Sequence, residues 1–180
     1  MGAAFDEFNR QLDDFFREQL PARVLQFQHN VAGDAIDKVL KRSPVLDGML
    51  RFNWQATVGS PSATPRAGED RSRDGQATAD EAKAALRADL QPYGNAFLSN
   101  PLPYAEVIEE GLYPPNPVRG TRIRSATRRG RRRSLANKGL LPADQEADYE
   151  IRSAGGFSKQ APVGMVGVTA LELMDYFERD

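Results

Sequence analysis

Cysteine is missing from the 180-residue chain, and histidine occurs once, as His29. The first absence removes disulfides, thiolate zinc sites and cysteine nucleophiles from consideration. The second makes a multi-histidine metal site within one chain impossible. A chain without thiols also suits a reducing cytoplasm. No apolar run approaches the roughly 20 residues that a membrane helix needs, so no membrane partner is expected. The start, Met1-Gly2-Ala3-Ala4-Phe5-Asp6-Glu7, turns acidic early and has no signal-peptide core. Gly2 fits a myristoylation motif poorly because Phe5 and Asp6 follow it. The phosphate-loop spacing is absent around Gly155-Gly156-Phe157-Ser158-Lys159. Asp70, Asp74 and Gly75 lack the alternating oxygen ligands of a calcium loop. No cofactor or metal site is therefore expected.

What is present is an ordinary soluble composition: 40% hydrophobic, 27% charged and a net charge of −1. The length suits one domain over 1–180 with a real core. Phe5, Phe8, Leu12, Phe15 and Phe16 recur at helical steps and build one apolar stripe. Pro21 lacks an N–H and clashes with the preceding turn, so a break or a new helix start is expected there. The pattern resumes through Val24, Leu25, Val31, Ile36, Val39 and Leu40, giving a longer second helix that ends near Arg42.

Pro44 biases Ser43 away from helix, and Asp47-Gly48 is a turn signal. Phe52, Trp54, Ala56 and Val58 then alternate with polar residues, which predicts a half-buried strand ended by Gly59-Ser60-Pro61. Residues 60–78 are polar and rich in Gly, Pro and Arg, and read as a mobile surface loop. Thr78-Ala79-Asp80-Glu81 reads as the cap of a helix reaching Leu90, with Ala82, Ala85, Leu86 and Leu90 inward. Residues 95–99 read as a short strand. Tyr104 to Glu110 make one or two helical turns stopped by Gly111. A last helix is expected from Pro162 to Arg179, with Val166, Thr169, Leu173 and Phe177 on its inner face.

Between them, residues 112–156 read as an extended arm inserted in the domain. Pro114, Pro115 and Pro117 open it. Arg119, Arg122, Arg124, Arg128, Arg129, Arg131, Arg132 and Arg133 follow, and no acidic residue lies between Gly111 and Asp144. Asp144, Glu146, Asp148 and Glu150 then reverse the sign, and a further strand is expected within 145–160. The guanidinium cluster has three readings, the plainest being a disordered, tail-like loop. It can dock on an acidic surface of a neighbouring protein, or it can contact genomic DNA by neutralising phosphates. The lack of interleaved aromatics argues against stacking on single-stranded bases. The fold class that follows is α+β: a small antiparallel sheet flanked by a long N-terminal helix and a C-terminal helix, with a long inserted arm.

Three Gly/Pro-punctuated segments resemble one known family. Ser43-Pro44-Val45-Leu46-Asp47-Gly48, followed by Arg51 and Trp54, is similar to a "TPVDTG" turn and "R-x-x-W" strand, with Ser43 in place of Thr and Leu46-Asp47 in place of Asp-Thr. Asn100-Pro101-Leu102-Pro103-Tyr104-Ala105, with Glu109 and Gly111, is close to "N-x-x-P-Y-A-x-x-L-E-x-G". Ser158-Lys159-Gln160-Ala161-Pro162-Val163-Gly164-Met165-Val166 is close to "S-x-Q-A-P-x-G-M-V". Order and spacing resemble tailed-bacteriophage neck and minor tail proteins over about residues 22–110 and 157–178. The arm is not covered.

The resemblance implies a structural virion protein of tail-terminator, tail-completion or head–tail connector type. It implies a homo-oligomeric ring of six or twelve copies, with portal, tail-tube or other neck proteins as partners, assembled in the host cytoplasm. It assigns structural roles to Pro44, Gly48, Trp54, Pro103, Tyr104, Gly111, Pro162 and Gly164. A second class of function, a DNA-binding accessory protein acting through the arm, rests on the arginines alone.

The residues themselves hold no catalytic constellation. Glu109 and Glu110 are adjacent on a helix and point about 100° apart, a poor pair for acid–base work. Trp54 reads as core because it alternates in register with Phe52 and Val58. Tyr104 reads as packed, with its hydroxyl bonded to backbone, and His29 as an ordinary helix residue.

Overall fold

The computed structural model describes residues 2–112, 122–124, 149–151 and 153–178. The α+β architecture expected from the sequence is observed. A long N-terminal helical run packs beside a small antiparallel sheet, and a C-terminal helix closes the chain.

Helix α1 (Gly2–Asp14), a π-helical stretch (Phe15–Gln19) and α2 (Leu20–Arg42) run on without interruption. Of the two outcomes expected at Pro21, the chain shows the new start and not a break: α2 begins at Leu20. The Leu20 N–H bonds to the Phe15 carbonyl, five residues back. That wide turn lies immediately ahead of Pro21, where an α-helix would bring the ring against a carbonyl. Pro21 then occupies the first turn of α2, where an N–H is dispensable.

Ser43 ends α2 in an extended conformation, as Pro44 requires. The strand expected from Phe52 starts later. Residues Met49–Phe52 form one helical turn, α3, and β1 is Gln55–Val58. The cause is Asn53. Its backbone N–H and its side-chain amide both donate to the Met49 carbonyl, at 3.1 and 3.0 Å, which stabilises the turn against extension. Strand β1 pairs antiparallel with β2 (Ala96–Ser99), in register Gln55 to Ser99 through Val58 to Ala96.

Between the two strands lies α4 (Gln76–Asp89), preceded by a 3-10 turn (Arg73–Gly75). The helix starts two residues before Thr78, so Thr78 does not cap it; the cap comes from upstream, as described below. Ala82, Leu86 and Leu90 face inward as expected. Helix α5 is Pro103–Glu109. Strands β3 (Arg122–Arg124) and β4 (Tyr149–Ile151) form an antiparallel ribbon. A second ribbon joins β5 (Ser153–Ala154) to β6 (Phe157–Ser158). Its two-residue turn, Gly155-Gly156, has positive φ at both positions, the property that type I′ hairpins demand.

The last helix, α6 (Val166–Glu178), begins four residues after Pro162. Pro162 forms a bridge to Gly164 instead of opening the helix.

One apolar cluster unites these parts. Ile36, Val39 and Leu40 come from α2, Leu50 from α3, Trp54 and Ala56 from the first strand and its approach, and Ala79, Ala82 and Leu86 from α4. Leu102, Ala105 and Ile108 join from α5, and Ala161 and Met165 from the run into α6. Each large side chain so buried contributes about 1.5–3 kcal/mol. No helix among the described residues is long and apolar enough to cross a membrane.

Candidate functional site

The three punctuated segments, each more than 40 residues from the next along the chain, meet at one junction beneath the first turn of α6. Ser43 sits at its centre and is buried. Its hydroxyl donates to the Val39 carbonyl at 2.9 Å, accepts the Trp54 indole N–H at 2.7 Å and lies 3.4 Å from the Met165 sulfur. Trp54 is 4% exposed, which makes it core as its register implied. The neighbouring Val45 N–H donates to the Gln160 side chain at 2.6 Å, and the Asn100 amide donates to the Leu50 carbonyl at 2.8 Å. First segment thus touches third, and second touches first.

The second and third segments meet through Glu109. Its carboxylate accepts the N–H groups of Met165 (2.7 Å), Val166 (3.0 and 3.1 Å) and Gly167 (2.8 Å). Those are the orphan donors at the start of α6, and a negative charge there also complements the helix dipole. The residues leading into α6, from Gln160 to Met165, include no Ser, Thr, Asp or Asn that could cap the helix locally. Gly164, at φ +79°, brings this run against α5: a Cβ there would stand 2.8 Å from the Glu109 carbonyl oxygen. Gly111 closes α5 in the left-handed conformation, and the Leu112 N–H returns to the Val107 carbonyl at 3.0 Å. Pro103 occupies the first turn of α5, and Tyr104 follows it, partly exposed.

A second polar centre lies on the other side of α3. Gly48, at φ +95°, is buried against the backbone of Asp70, where a Cβ would meet the carbonyl oxygen at 2.5 Å. The Gly48 carbonyl accepts both the Phe52 and the Asp70 N–H at 3.0 Å. The Asp70 carboxylate accepts the N–H and hydroxyl of Ser72 and of Thr78. Burial pushes the Asp70 pKa up, but the hydrogen bonds from Ser72 and Thr78 outweigh it and hold the group at about 2. Asp70 and Ser72, whose hydroxyl accepts the Ala77 N–H at 3.0 Å, therefore supply the start of α4 with acceptors.

The 60–78 loop, read as mobile, is thus tied down along its length. Asn53 accepts the Arg66 N–H at 2.7 Å and donates to the Arg66 carbonyl at 3.1 Å. The Arg66 guanidinium lies 4.6 Å from the Phe52 ring centre and also pairs with Glu81.

Of the basic run, Arg122 and Arg124 lie on β3, opposite Ile151 and Tyr149. Arg119, Arg128, Arg129, Arg131, Arg132 and Arg133 lie outside the described residues, as does most of the 112–156 arm. His29 lines a groove of about 630 Å³ between α2 and α4, where Lys83 binds Asp37. No cluster of three or more metal-ligating side chains occurs among the described residues.

The outer surface differs in kind from the junction. Every residue from Phe5 to Asp14 is exposed, and with Phe16 they present an aromatic stripe to solvent. On α6 the expected inner face is corrected. Thr169 is buried and Leu173 half-buried, but Val166 and Phe177 stand more than 40% exposed. Arg42 causes the rotation: it donates to the Thr169 hydroxyl at 2.8 Å and pairs with Glu172, which turns that face towards α2.

Comparison with known proteins finds no family model, curated protein or solved structure that matches the chain.

Proposed function

We propose that this chain is a structural subunit of a tailed-bacteriophage neck: a ring-forming tail terminator or tail-completion protein that joins tail to head. The observation that carries the reading is the convergence of the three family-like segments. Residues that look unrelated along the chain, Ser43, Trp54, Glu109 and Met165, are parts of one junction. A shared sequence pattern with one structural purpose is what a common scaffold would leave behind.

Two further features support an assembly role over a catalytic one. The charged and polar groups at the junction are engaged with backbone and with each other, so they stabilise the fold and offer no reactive group to a substrate. Phe5, Phe8 and Leu12 of α1 and Leu171, Met174 and Tyr176 of α6, by contrast, are exposed to solvent. Large exposed apolar patches mark interaction surfaces. A head–tail connector bound to the portal is the nearest related role and would use the same scaffold.

The test is direct. Virions purified from the producing host and analysed by quantitative mass spectrometry contain this chain, in a fixed ratio to the portal protein. Cryo-EM of the neck places it in a closed ring of six or twelve subunits. Virions that lack the chain overturn the proposal.

A further inference from the structure

Helix α6 is apolar around most of its circumference. Val166, Val168, Ala170, Leu171, Leu173, Met174, Tyr176 and Phe177 occupy eight of its thirteen positions. A helix of that kind belongs inside a protein, yet Thr169 is its one buried residue. Leu171 is 66% exposed and Met174 58%. At 100° per residue, Val166, Ala170, Met174 and Phe177 form one strip, with Leu171 on its edge. Phe27 of α2 extends the surface, its ring centre 5.6 Å from that of Phe177.

Helix α1 shows the complementary situation. Phe5, Phe8, Leu12 and Phe16 line one face, and all are exposed, Phe5 by 65% and Phe8 by 57%. The polar flanks are held within the helix, by Arg10 with Glu7 and Arg17 with Asp13.

We infer that the aromatic stripe of α1 in one copy packs across the exposed strip of α6 and Phe27 in a second copy. Three properties select a second copy as the occupant. The two strips are matched in length: Phe5 to Phe16 and Val166 to Phe177 each span eleven residue steps, about 17 Å of helix. They are different surfaces of one chain, so their union is head-to-tail, the arrangement that generates rings when it closes. Their exposed apolar side chains amount together to roughly 1,000 Å², the scale at which specific interfaces begin. The inference rests on the reading of the chain as a self-associating subunit, and adds which surfaces join.

Complementation between two variants tests it, using full-length protein throughout. One variant carries Phe5→Glu and Phe8→Glu, the other Leu171→Glu and Met174→Glu. All four side chains are exposed, so each variant is expected to fold, which circular dichroism checks. If either fails to fold, the milder pairs Phe5→Ser with Phe8→Ser and Leu171→Ser with Met174→Ser carry the same test. Sedimentation velocity is then run on wild type, each variant and their equimolar mixture.

The expected result is an oligomeric wild type, two monomeric variants with self-association weakened at least about a hundredfold, and a heterodimer in the mixture. The heterodimer forms because the α1 variant keeps an intact α6 and the α6 variant an intact α1. A mixture that stays monomeric overturns the inference. So does an α6 variant that still dimerises alone, which would mean α1 pairs with α1 or with another surface. Wild-type rings that persist in both variants overturn this pairing while leaving the ring-forming reading intact. A wild type that is monomeric at all concentrations overturns this pairing, while the proposed function still stands or falls on the virion test.

Discussion

The two ends of the contact made by α6 are built on opposite principles. At its first turn, three backbone N–H groups converge on one carboxylate, Glu109, and Met165 just before it is fully buried against Ser43. Along its outer strip, Leu171 and Met174 are more than half exposed, and Phe177 meets Phe27 of α2 at the edge of the body. Helix α1 repeats the second pattern from Phe5 to Asp14. Polar side chains in this protein act inwards, where they fix the chain's own corners. Much of its aromatic surface acts outwards, where none of the described residues covers it. A junction of the first kind loses stability when altered; a surface of the second kind loses partners.

Substitution at the junction gives the largest expected effect. Trp54→Ala removes the widest side chain of the core and leaves the Ser43 hydroxyl without the indole donor that it accepts. A cost of about 3–5 kcal/mol is expected for such a truncation. Urea denaturation followed by circular dichroism measures it, since Trp54 is the only tryptophan and the variant has none to report by fluorescence. A loss below about 1 kcal/mol would erase the distinction between the two regions.

Asp70→Asn comes next, at about 1–2 kcal/mol, because four donors from Ser72 and Thr78 lose their anionic acceptor. This one also has a pH signature. The folded pKa is about 2, below the ordinary 3.8, so the stabilisation is fully present above the unfolded value. It is lost as pH falls through the folded one, between roughly pH 4 and pH 2. Stability measured across that range should show the difference between wild type and variant shrinking towards acid. A difference independent of pH would mean that the carboxylate charge is not what holds the start of α4.

Glu109→Gln keeps an acceptor at the start of α6 but removes its charge, which costs about 1 kcal/mol. The effect should be local. Hydrogen exchange of the Met165, Val166 and Gly167 amides and of the α6 backbone should quicken, while the paired amides of β1 and β2 stay as protected as before. Equal acceleration in both regions would show that the cap supports the whole fold and not the docking of α6 alone.

These centres were unequally legible in the sequence. Trp54 was readable because alternation with Ala56 and Val58 places it inward whichever way the preceding turn folds. The turn itself was not. Phe52 fits the same alternation, yet Asn53 closes a helical turn over it, and a side-chain bond to backbone leaves no trace in a hydrophobic pattern. At Pro21 the rule for proline left a break or a new start open; the structure has the new start, joined to α1 by a π-turn that no spacing in the sequence announces.

Glu109 was seen only beside Glu110, as a poor catalytic pair. The informative signal lay 57 residues away, in a helix start with no capping residue of its own. Asp70 was hidden by composition: a loop so polar reads as mobile unless one knows that Gly48 leaves room for its backbone. The overall α+β order, by contrast, follows from periodicity and punctuation that are local, and it was legible. The aromatic stripe of α1 was legible too, but not its exposure, because periodicity shows that a face exists and not what covers it.

The smallest effect belongs to the outer strip. Leu171→Ser replaces a side chain that is already two-thirds exposed, so little apolar burial is at stake within one chain. The unfolding free energy, measured where the protein is dilute enough to be monomeric, should change by less than about 0.5 kcal/mol. The contrast with Trp54→Ala lies in where the two apolar side chains point. Both are large, and both sit on elements that meet the same core, but one is enclosed by its own chain and the other is not. If Leu171→Ser proved as costly as a core truncation in the monomer, α6 would be packed more deeply than its exposed strip implies. Its apolar circumference would then have an intramolecular explanation. A near-zero cost leaves contact with another chain as the physical reason for so apolar a helix to lie at the surface.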